Sequence, residues 1–559
     1  MKLKNNDPVI FDMQSYRLPG TSRSNVTSLY PTLPRKRGKV NFDIYDYEML
    51  FRDKATNDLI REGRTIGCFY IESPGMRSLL RRLSVDNFEM LTAASSVIRP
   101  GVAESGMMQE FIARHKDPKR RKYLVPEMEK YLGETYGVMI YQEDVIKIAH
   151  HIAGLSLEEA DLLRRAMSGK MRSHEAMKRL TDKFFESCRH NNLSEGKAKE
   201  LWRQIESFAG YSFCKAHSAS FALLSYQVAY LKVYYPAQFM ACVLSNQGGF
   251  YSHAVYIQEC KRMGLSVELP CINKSSYEYT GRDKQVRIGL MAIRNLSRST
   301  SEFIIQERKD NGRYSSLADF LIRTKTGYEE SAMLIRCGAM DCFKQTRPTL
   351  MRLLDIYVKH RKLLNESYND LFMNETFKLE QEVITDQQFS IEEICTAEYE
   401  AFSYMVTRHP LDFFSEWTSN PSVIPAAGMN KFHGKKIKMI GWYMTSKRIK
   451  TRKGDIMKFI SLEDLSGTFE AVIFPRTYEQ YAEKTLSMGP YLLEGRVDAD
   501  NGNNLIVEKL ELLTSTGIKA AEQKDSAENK YFGDVDKISE EDFYMIDSLD
   551  KEKLKMAYL

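Results

Sequence analysis

The sequence lacks the features that place a chain in a membrane or outside the cell. No run approaches the roughly 18 consecutive apolar residues that a membrane-spanning helix needs, and the first residues, MKLKNNDPVIFD, contain no apolar signal region. Among nine cysteines no two form a CxxC pair, and none stands at zinc-finger spacing with the ten histidines. We therefore expect no membrane contact, no bound zinc, and a cytoplasmic protein with reduced, mostly buried thiols.

The chain also has little net charge. Its 80 Lys and Arg exceed its 74 Asp and Glu by only six over 559 residues, so only the distribution of the charges can indicate a nucleic-acid partner. The apolar share of 43% and the charged share of 28% are typical of globular proteins. At roughly 100–200 residues per domain, this length predicts three or four domains.

The period of the apolar residues divides the chain into segments. Most of the chain has helical spacing, and a strand-like period of two appears only near the end. We predict a multidomain protein, mainly α, followed by a small all-β barrel. The predicted segments are 1–44 (irregular), 45–275 (helical), 276–345 (short helices with turns), 346–430 (a helical linker with a charged helix at Pro348–Leu364), 431–514 (barrel) and 515–559 (acidic tail).

Two helix starts can be placed from capping residues. Ser156 and Glu159 form the pattern of a capping box, so a helix is expected to begin there and to end by Gly169. A second helix is expected to begin near Ser218, because apolar side chains recur on one face from Phe221 onwards. Pro236 fits a stop just after its C-terminus.

The β segment has the pattern of an OB barrel. Five strand-like stretches, separated by turn signals, fall within about 80 residues, and a helical patch lies between the third and the fourth. These strands are predicted at Lys436–Tyr443, Met457–Leu462, Thr468–Phe474, Tyr491–Val497 and Leu505–Leu513, with the helical patch at Thr477–Thr485.

Two basic clusters are predicted at helix ends in the helical segment. Lys215, His217 and Ser218 precede or open a helix, where free amides and the helix dipole favour an anion such as phosphate. An ordinary serine cap with a surface lysine explains the same residues equally well. The second cluster contains Arg164, Arg165 and Lys170 at a helix C-terminus, where simple dipole complementation is the alternative. Two such clusters in one segment favour a polyphosphate or a nucleic-acid backbone.

The barrel carries a third basic run in the predicted loop after its first strand, near aromatic residues that include Trp442. OB barrels bind single strands with a basic groove and stacking aromatics, although some aromatics must form the core. The cations of this run are Lys447, Arg448, Lys450, Arg452 and Lys453. A catalytic metal pair, by contrast, has no convincing carboxylates. Asp498 with Asp500 and Asp534 with Asp536 are predicted to lie in a turn and in the tail.

An ordered series of segments resembles the bacterial DNA polymerase III alpha subunit, a C-family polymerase. The resemblance covers about residues 45–514, more than four-fifths of the chain. It rests on GCFYIESPGM (67–76), SSVIRPGVAESGM (95–107), TYGVMIYQEDVI (135–146), LLRRAMSGK (162–170), FAGYSFCKAHSASFALLSYQ (208–227), YLKVYYPAQFM (230–240), RMGLSVELPCIN (262–273), CGAMD (337–341) and RHPLDFF (408–414).

The resemblance implies a fold and a site. The segments would form the fingers, a helix-hairpin-helix module and the OB domain, with template-primer DNA and a deoxynucleoside triphosphate as ligands. By position, the residues facing the triphosphate would be Arg164, Arg165, Lys170, Lys215, His217 and Ser218. Cations there would neutralise charge that develops as pyrophosphate leaves.

The sequence departs from the family in its catalytic part. The family carries a PHP domain and then a palm with three aspartates that hold Mg²⁺, and no segment of this sequence corresponds to either. No catalytic or metal-binding residue is therefore assigned. We expect negligible nucleotidyl transfer by this chain alone and a separate chain that carries palm and PHP as its partner.

Smaller departures concern DNA and clamp contacts. Tyr70 replaces a family Gln, and Cys214 replaces an Asn. The hairpin turn at 292–298 lacks the glycines that the family carries there, so duplex binding by this turn would depend on Arg294 and Arg298. The nearest sliding-clamp peptide, at 368–372, keeps Leu371 and Phe372 but lacks the leading Gln.

Two functions from different classes follow. The chain is either the fingers and DNA-contact part of a polymerase III alpha subunit, working with a palm-bearing chain, or a non-catalytic single-stranded DNA-binding protein derived from one. A truncated gene product is a third reading of the same sequence.

Overall fold

The computed structural model describes residues 43–98, 106–167, 174–206, 214–359, 384–451, 454–499 and 504–513. These residues form a helical body followed by a β barrel, as the sequence predicts. Within these ranges no helix has both the length and the apolar character that crossing a membrane requires.

The first part of the helical body consists of α-helices, several of which have N-termini capped by polar side chains. Among the described residues these helices are α1 (Tyr47–Arg52), α2 (Lys54–Arg61), α3 (Pro74–Leu83), α4 (Phe88–Val97), α5 (Met107–Lys116), α6 (Met128–Leu132), α7 (Gln142–His151), α8 (Leu157–Arg165), α9 (His174–His190), α10 (Glu195–Glu206), α11 (Lys215–Tyr234), α12 (Pro236–Asn246) and α13 (His253–Arg262). The capping box predicted for α8 is present, because the Ser156 hydroxyl accepts from the Glu159 amide and the Glu159 carboxylate accepts from the Ser156 amide.

The second part of the body contains a small sheet and further helices. Its elements are β1 (Ser266–Glu268), β2 (Thr280–Arg282), β3 (Gln285–Arg287), α14 (Arg298–Asn311), α15 (Leu317–Thr324), α16 (Tyr328–Arg336), α17 (Arg347–Lys359), α18 (Ile391–Phe402) and α19 (Ser415–Thr418). In the sheet, β3 pairs parallel with β1 and antiparallel with β2. The charged helix predicted at Pro348–Leu364 is α17, and its predicted last turn lies outside the described residues.

Apolar side chains of the body gather in two cores. Helices α6 to α10 enclose one core around Phe184 and Leu201. A larger core extends from α2 to α4, through α11 and the small sheet, to α18. The larger core therefore contains residues from four of the segments predicted from the sequence, and the segment boundaries remain a prediction.

The barrel has the strand order of an OB fold. Its strands are β4 (Lys436–Lys450), β5 (Ile456–Glu463), β6 (Thr468–Ile473), β7 (Tyr491–Asp498) and β8 (Asn504–Leu512), with helix α20 (Pro475–Tyr481) between β6 and β7. They close in the order β4-β5-β6-β8-β7, where β6 and β8 are parallel and the other pairs are antiparallel.

One glycine allows the first barrel strand to pass close to its neighbours. A Cβ atom at Gly441 would lie 2.8 Å from Cβ of Leu462 and 3.0 Å from the ring of Phe469. Because β4 pairs with β7 through its first half and with β5 through its second half, it must bend across the core at this point.

Candidate functional site

The N-terminus of helix α7 lies between the two basic clusters predicted in the helical body. The side-chain oxygen of Gln142 accepts a hydrogen bond from Arg164 at 3.0 Å. The carboxylate of Glu143 accepts from the backbone amide of Lys215 at 3.0 and 3.1 Å. Two adjacent residues therefore contact both clusters, which lie about 50 residues apart in the sequence.

Each cation of this site that the structure describes is paired with a carboxylate. Asp161 binds the guanidinium of Arg164 at 2.8 Å and that of Arg165 at 2.7 Å, and the hydrogen bond from Arg164 is the main cause of its lowered pKa. The ammonium of Lys215 lies 2.7 Å from Glu134. We call Arg164, Arg165 and Lys215 the finger cations. Lys170 lies outside the described residues.

The helix at the second cluster begins three residues earlier than predicted. Helix α11 starts at Lys215, and its cap is Cys214, whose sulfur accepts from the His217 amide at 3.3 Å. The prediction of a start near Ser218 was wrong because the sulfur of Cys214 takes the capping role that the sequence suggested for a hydroxyl. Ser218 lies within the helix, fully buried, and its hydroxyl accepts from Ser96 at 2.7 Å.

The N-terminus of α11 does receive an anion, as its dipole favours. The anion is the protein's own carboxylate, Glu143, at the first amide of the helix. A phosphate could reach this amide only by displacing Glu143.

A buried carboxylate fixes the start of α7. Asp144 is 1% exposed, and its carboxylate accepts from the amides of Ile140 and Tyr141, each at 3.0 Å. Burial raises the pKa of Asp144 to about 6. The bonds of Asp144 hold the turn before Gln142 and Glu143 and so orient both.

An aromatic strip extends from the finger cations along α11. His217 meets Phe221 edge to face at 4.3 Å between ring centroids, and Phe221 stacks on Tyr70 at 4.8 Å. Phe69, next in the strip, is 45% exposed. Tyr70 has a φ of +68°, a conformation that a tyrosine rarely adopts, and the Ser225 hydroxyl holds the loop by donating to the Phe69 carbonyl at 3.0 Å.

The basic run of the barrel lies on a strand, not in a loop as predicted. Strand β4 continues to Lys450 and pairs Lys447 with Phe459, Arg448 with Lys458 and Lys450 with Ile456. The prediction placed a loop there because the run is polar, but pairing with β5 extends the strand beyond its buried part. Arg452 and Lys453 lie outside the described residues.

The predicted stacking residue of the barrel has a packing role. Trp442 is half-buried and packs on a small apolar cluster formed by Leu411, Phe414, Val423 and Ile440. Phe469 belongs to the barrel core, whereas Phe474 is 46% exposed.

The barrel rests on the helical body at one end of β5 and β6. Arg77 of α3 donates to the Thr468 hydroxyl at 2.9 Å, and Arg262 of α13 binds Glu463 at 2.8 Å. OB barrels bind oligonucleotides on the face of their second and third strands, which here are β5 and β6. The contacts with Arg77 and Arg262 cover one end of this face, so the basic run lies toward the other.

The hairpin turn of the predicted helix-hairpin-helix module uses its amides internally. The Arg294 amide donates to the Ala401 carbonyl at 2.8 Å, and the Ser297 amide donates to Glu330 at 3.3 Å. Asn295 takes the left-handed conformation, with φ +62°, that glycines take in such turns. Arg298 binds Glu302 at 2.8 Å and lies over the Tyr277 ring.

The residues that the structure describes do not fit a Mg²⁺ pair. Across the described ranges, no group of three or more His, Cys, Asp or Glu side chains could hold a metal ion. The clamp-peptide residues Leu371 and Phe372 lie outside these ranges.

Comparison with known proteins defines the class first. Residues 31–192 match the bacterial DNA polymerase III alpha subunit finger domain, and residues 264–350 match a helix-hairpin-helix motif. The helical body is therefore a polymerase finger region followed by such a module.

Relatives along most of the chain specify the family. DNA polymerase III subunit alpha of Aquifex aeolicus is 31% identical over 465 residues, which are 82% of this chain and 38% of the relative. The Bacillus subtilis protein of the same name is 32% identical over 451 residues, 80% of this chain and 39% of the relative. The chain belongs to the bacterial DNA polymerase III alpha subunit family, and it spans less than half the length of these curated relatives.

Sequence reasoning named the cations but missed their partners. Glu134, Gln142, Glu143 and Asp161 lie within the segments that carry the resemblance or directly beside them, yet only the fold brings them to the cations. The available signal was Tyr141-Gln142-Glu143-Asp144, a run of polar residues at a predicted helix start.

Proposed function

We propose that this chain supplies the fingers and DNA contacts of a bacterial DNA polymerase, and that the finger cations hold the triphosphate of the incoming nucleotide. The contact of Gln142 with one basic cluster and of Glu143 with the other is the observation that carries the proposal. It makes the clusters parts of one surface, beside which the aromatic strip offers ring faces to a base.

In this proposal the triphosphate replaces carboxylates on the cations. Asp161 pairs with Arg164 and Arg165, and Glu134 pairs with Lys215, while Glu143 accepts from the Lys215 backbone amide. The pairs of Lys215 and Arg165 are solvent-exposed, and exposed pairs contribute only about 0–1 kcal/mol each. A triphosphate with several charge-assisted hydrogen bonds can offset their loss.

The proposal assigns the metal chemistry to residues other than those described. Two Mg²⁺ ions on palm aspartates would stabilise the attacking and leaving oxygens of the transfer. The described residues of this chain would bind the nucleotide and align it.

Reconstitution tests the proposed function. The purified chain is mixed with primer-template DNA, deoxynucleotides and Mg²⁺, with and without a chain that carries the palm and PHP parts of a polymerase III alpha subunit. We expect primer extension only in the mixture. Extension by the purified chain without that partner, or none in any mixture although both chains are folded and bind one another, would contradict the proposal.

A second candidate is a non-catalytic single-strand binder, which the strand position of Lys447, Arg448 and Lys450 favours. Cations along an edge of the OB face suit a phosphate backbone. In that case an oligonucleotide would bind without any partner, and its affinity would fall steeply with salt. A flat salt response would argue against a basic groove, and restored extension in the mixture would favour the polymerase.

A further inference from the structure

Two cysteine thiols meet beneath the surface of the helix-hairpin-helix region. The Ile272 amide donates to the Ala339 carbonyl at 3.0 Å, which brings the segment after β1 against the turn after α16. Cys271 precedes this contact, and Cys342 lies in the short 3-10 turn Asp341–Phe343. The Asn273 amide group donates to the Cys342 sulfur at 3.5 Å, and the Cys271 and Cys342 side chains interact with each other.

The surroundings of Cys271 favour a thiolate. Its pKa is lowered, chiefly by the interaction with the Cys342 side chain and further by the Asn273 backbone amide and the positive charges of Arg287 and Lys274. Arg308 is also close, since its guanidinium donates to the carbonyls of Ile272 and Ser275, both at 2.5 Å. Cations and hydrogen bonds around sulfur are typical of reactive cysteines.

Other cysteines of the chain are in the opposite situation. Burial raises the pKa of Cys68, Cys260 and Cys337 to about 12 in each case. These thiols stay protonated at neutral pH and behave as small apolar side chains. Cys271 differs from them because a second thiol and several cations face it.

We propose that Cys271 and Cys342 form a peroxide-reactive dithiol that closes to an intramolecular disulfide. The Cys271 thiolate attacks one oxygen of hydrogen peroxide, becomes a sulfenic acid and releases hydroxide. The Cys342 sulfur attacks the sulfenic sulfur, the S–S bond forms, and the sulfenic oxygen leaves as water. Two thiols lose two electrons and one peroxide becomes two waters.

Access to the pair is through Cys342. This residue is half-buried, and its neighbours Asp341 and Lys344 are exposed, while Cys271 keeps 8% of its surface. We expect thiol reagents to reach the pair by this route.

Peptide mapping of the oxidised chain tests the proposal. The full chain is treated with one equivalent of hydrogen peroxide, remaining thiols are blocked with N-ethylmaleimide, and the protein is digested with trypsin without reduction. Cleavage after Arg262, Lys274, Arg336 and Lys344 gives peptides 263–274, with Cys271, and 337–344, with Cys337 and Cys342. We expect these two peptides as a disulfide-linked pair, lighter by two hydrogens than their sum.

Cysteine variants identify the two residues that form the disulfide. The link should disappear in Cys271→Ser and in Cys342→Ser, and it should remain in Cys242→Ser, which removes an exposed thiol elsewhere. A link that persists in Cys342→Ser would belong to Cys337 and would overturn the proposal. So would unlinked peptides with both thiols blocked in the oxidised wild type.

A dithiol reagent provides a measurement without variants. Phenylarsine oxide binds two adjacent thiols through one arsenic with loss of water. In the wild-type chain it should protect Cys271 and Cys342 together from N-ethylmaleimide. Independent labelling of the two residues at any reagent concentration would contradict the pairing.

Discussion

Ion pairs occur in two contrasting regions of this molecule. Inside the helical body Lys232 binds Glu259 at 2.7 Å, and Arg262 links Glu259, at 3.1 Å, to Glu463 of the barrel, at 2.8 Å. These side chains are 2–18% exposed. At the finger cations, by contrast, Lys215 and Glu134 are 44% and 48% exposed.

The difference in burial gives the two groups of ion pairs different roles: buried pairs keep their partners, whereas exposed pairs can exchange them. We call the linked ion pairs of Lys232, Glu259, Arg262 and Glu463 the buried ion-pair network. A buried charge that loses its partner stays in a medium of low polarity, so each member of this network is fixed by its neighbours. An exposed charge can exchange its partner for water or for another anion at little cost. We infer that the buried ion-pair network attaches the barrel to the body and that the finger cations are available to a ligand.

The largest expected effect is a loss of folding stability when one member of the buried ion-pair network is removed. Glu463→Ala leaves Arg262 buried with one carboxylate fewer and removes the anion that lies 3.6 Å from His409. Removing one partner of a buried ion pair costs about 3–5 kcal/mol. We expect a loss of this size in urea unfolding followed by tryptophan fluorescence, to which Trp417 and Trp442 near the barrel contribute beside Trp202.

Glu511→Ala is the matched control, because Glu511 is an exposed carboxylate of the same barrel. It should change the free energy of unfolding by less than about 0.5 kcal/mol. If Glu463→Ala lowers the free energy of unfolding by less than about 1 kcal/mol, the buried ion-pair network does not attach the barrel.

A buried lysine of the barrel is expected to make folding stability depend on pH, in contrast to the cations that are paired with carboxylates. Lys458 is 6% exposed, and its ammonium donates to the carbonyl and hydroxyl of Thr485. Burial, with the nearby charge of Arg448, lowers its pKa from 10.5 to about 8. Between these two values the unfolded chain binds more protons than the folded one, so stability should rise with pH from about 8 to about 10.5.

The gain from Lys458 should be on the order of 1–3 kcal/mol, and it is measured by urea unfolding at pH 7.5, 8.5 and 9.5. In Lys458→Met the rise should vanish. An equal rise in the variant would assign it to other groups.

The sequence predicted the elements of this fold better than their contacts. The barrel strands and the α8 capping box follow from local patterns, since period, turns and caps are properties of neighbouring residues. The end of β4 could not be predicted from local patterns, because the polar run Lys447–Lys450 is a strand only through its pairing with β5. The partners of the finger cations did not follow either, because Glu134 and Lys215 lie 81 residues apart and meet only in the folded chain.

A smaller effect is expected from removing a finger cation. Lys215→Ala should weaken the binding of a fluorescent deoxynucleoside triphosphate about tenfold, because one charge-assisted hydrogen bond to phosphate is lost. The dissociation constant is measured by fluorescence anisotropy on the purified chain.

Lys199→Ala provides the control for this loss of charge. Lys199 forms a similar exposed pair, with Glu195 on α10, outside the proposed site. Its removal should leave the dissociation constant unchanged. An equal loss in the two variants would show that net charge alone governs binding.

The smallest expected effect has the opposite sign and tests whether the exposed pairs exchange. Glu134 holds the ammonium of Lys215, so a triphosphate must compete with it. Glu134→Gln removes this competitor and keeps the size of the side chain. Because an exposed pair contributes up to about 1 kcal/mol, nucleotide affinity should rise two- to fivefold, and the rise should shrink at high salt. Glu195→Gln, which frees Lys199 instead, should leave the affinity as it is. A weaker affinity in Glu134→Gln would mean that the carboxylate orients Lys215 for the ligand, and the exposed pairs would then be fixed parts of the site, as the buried ones are of the fold.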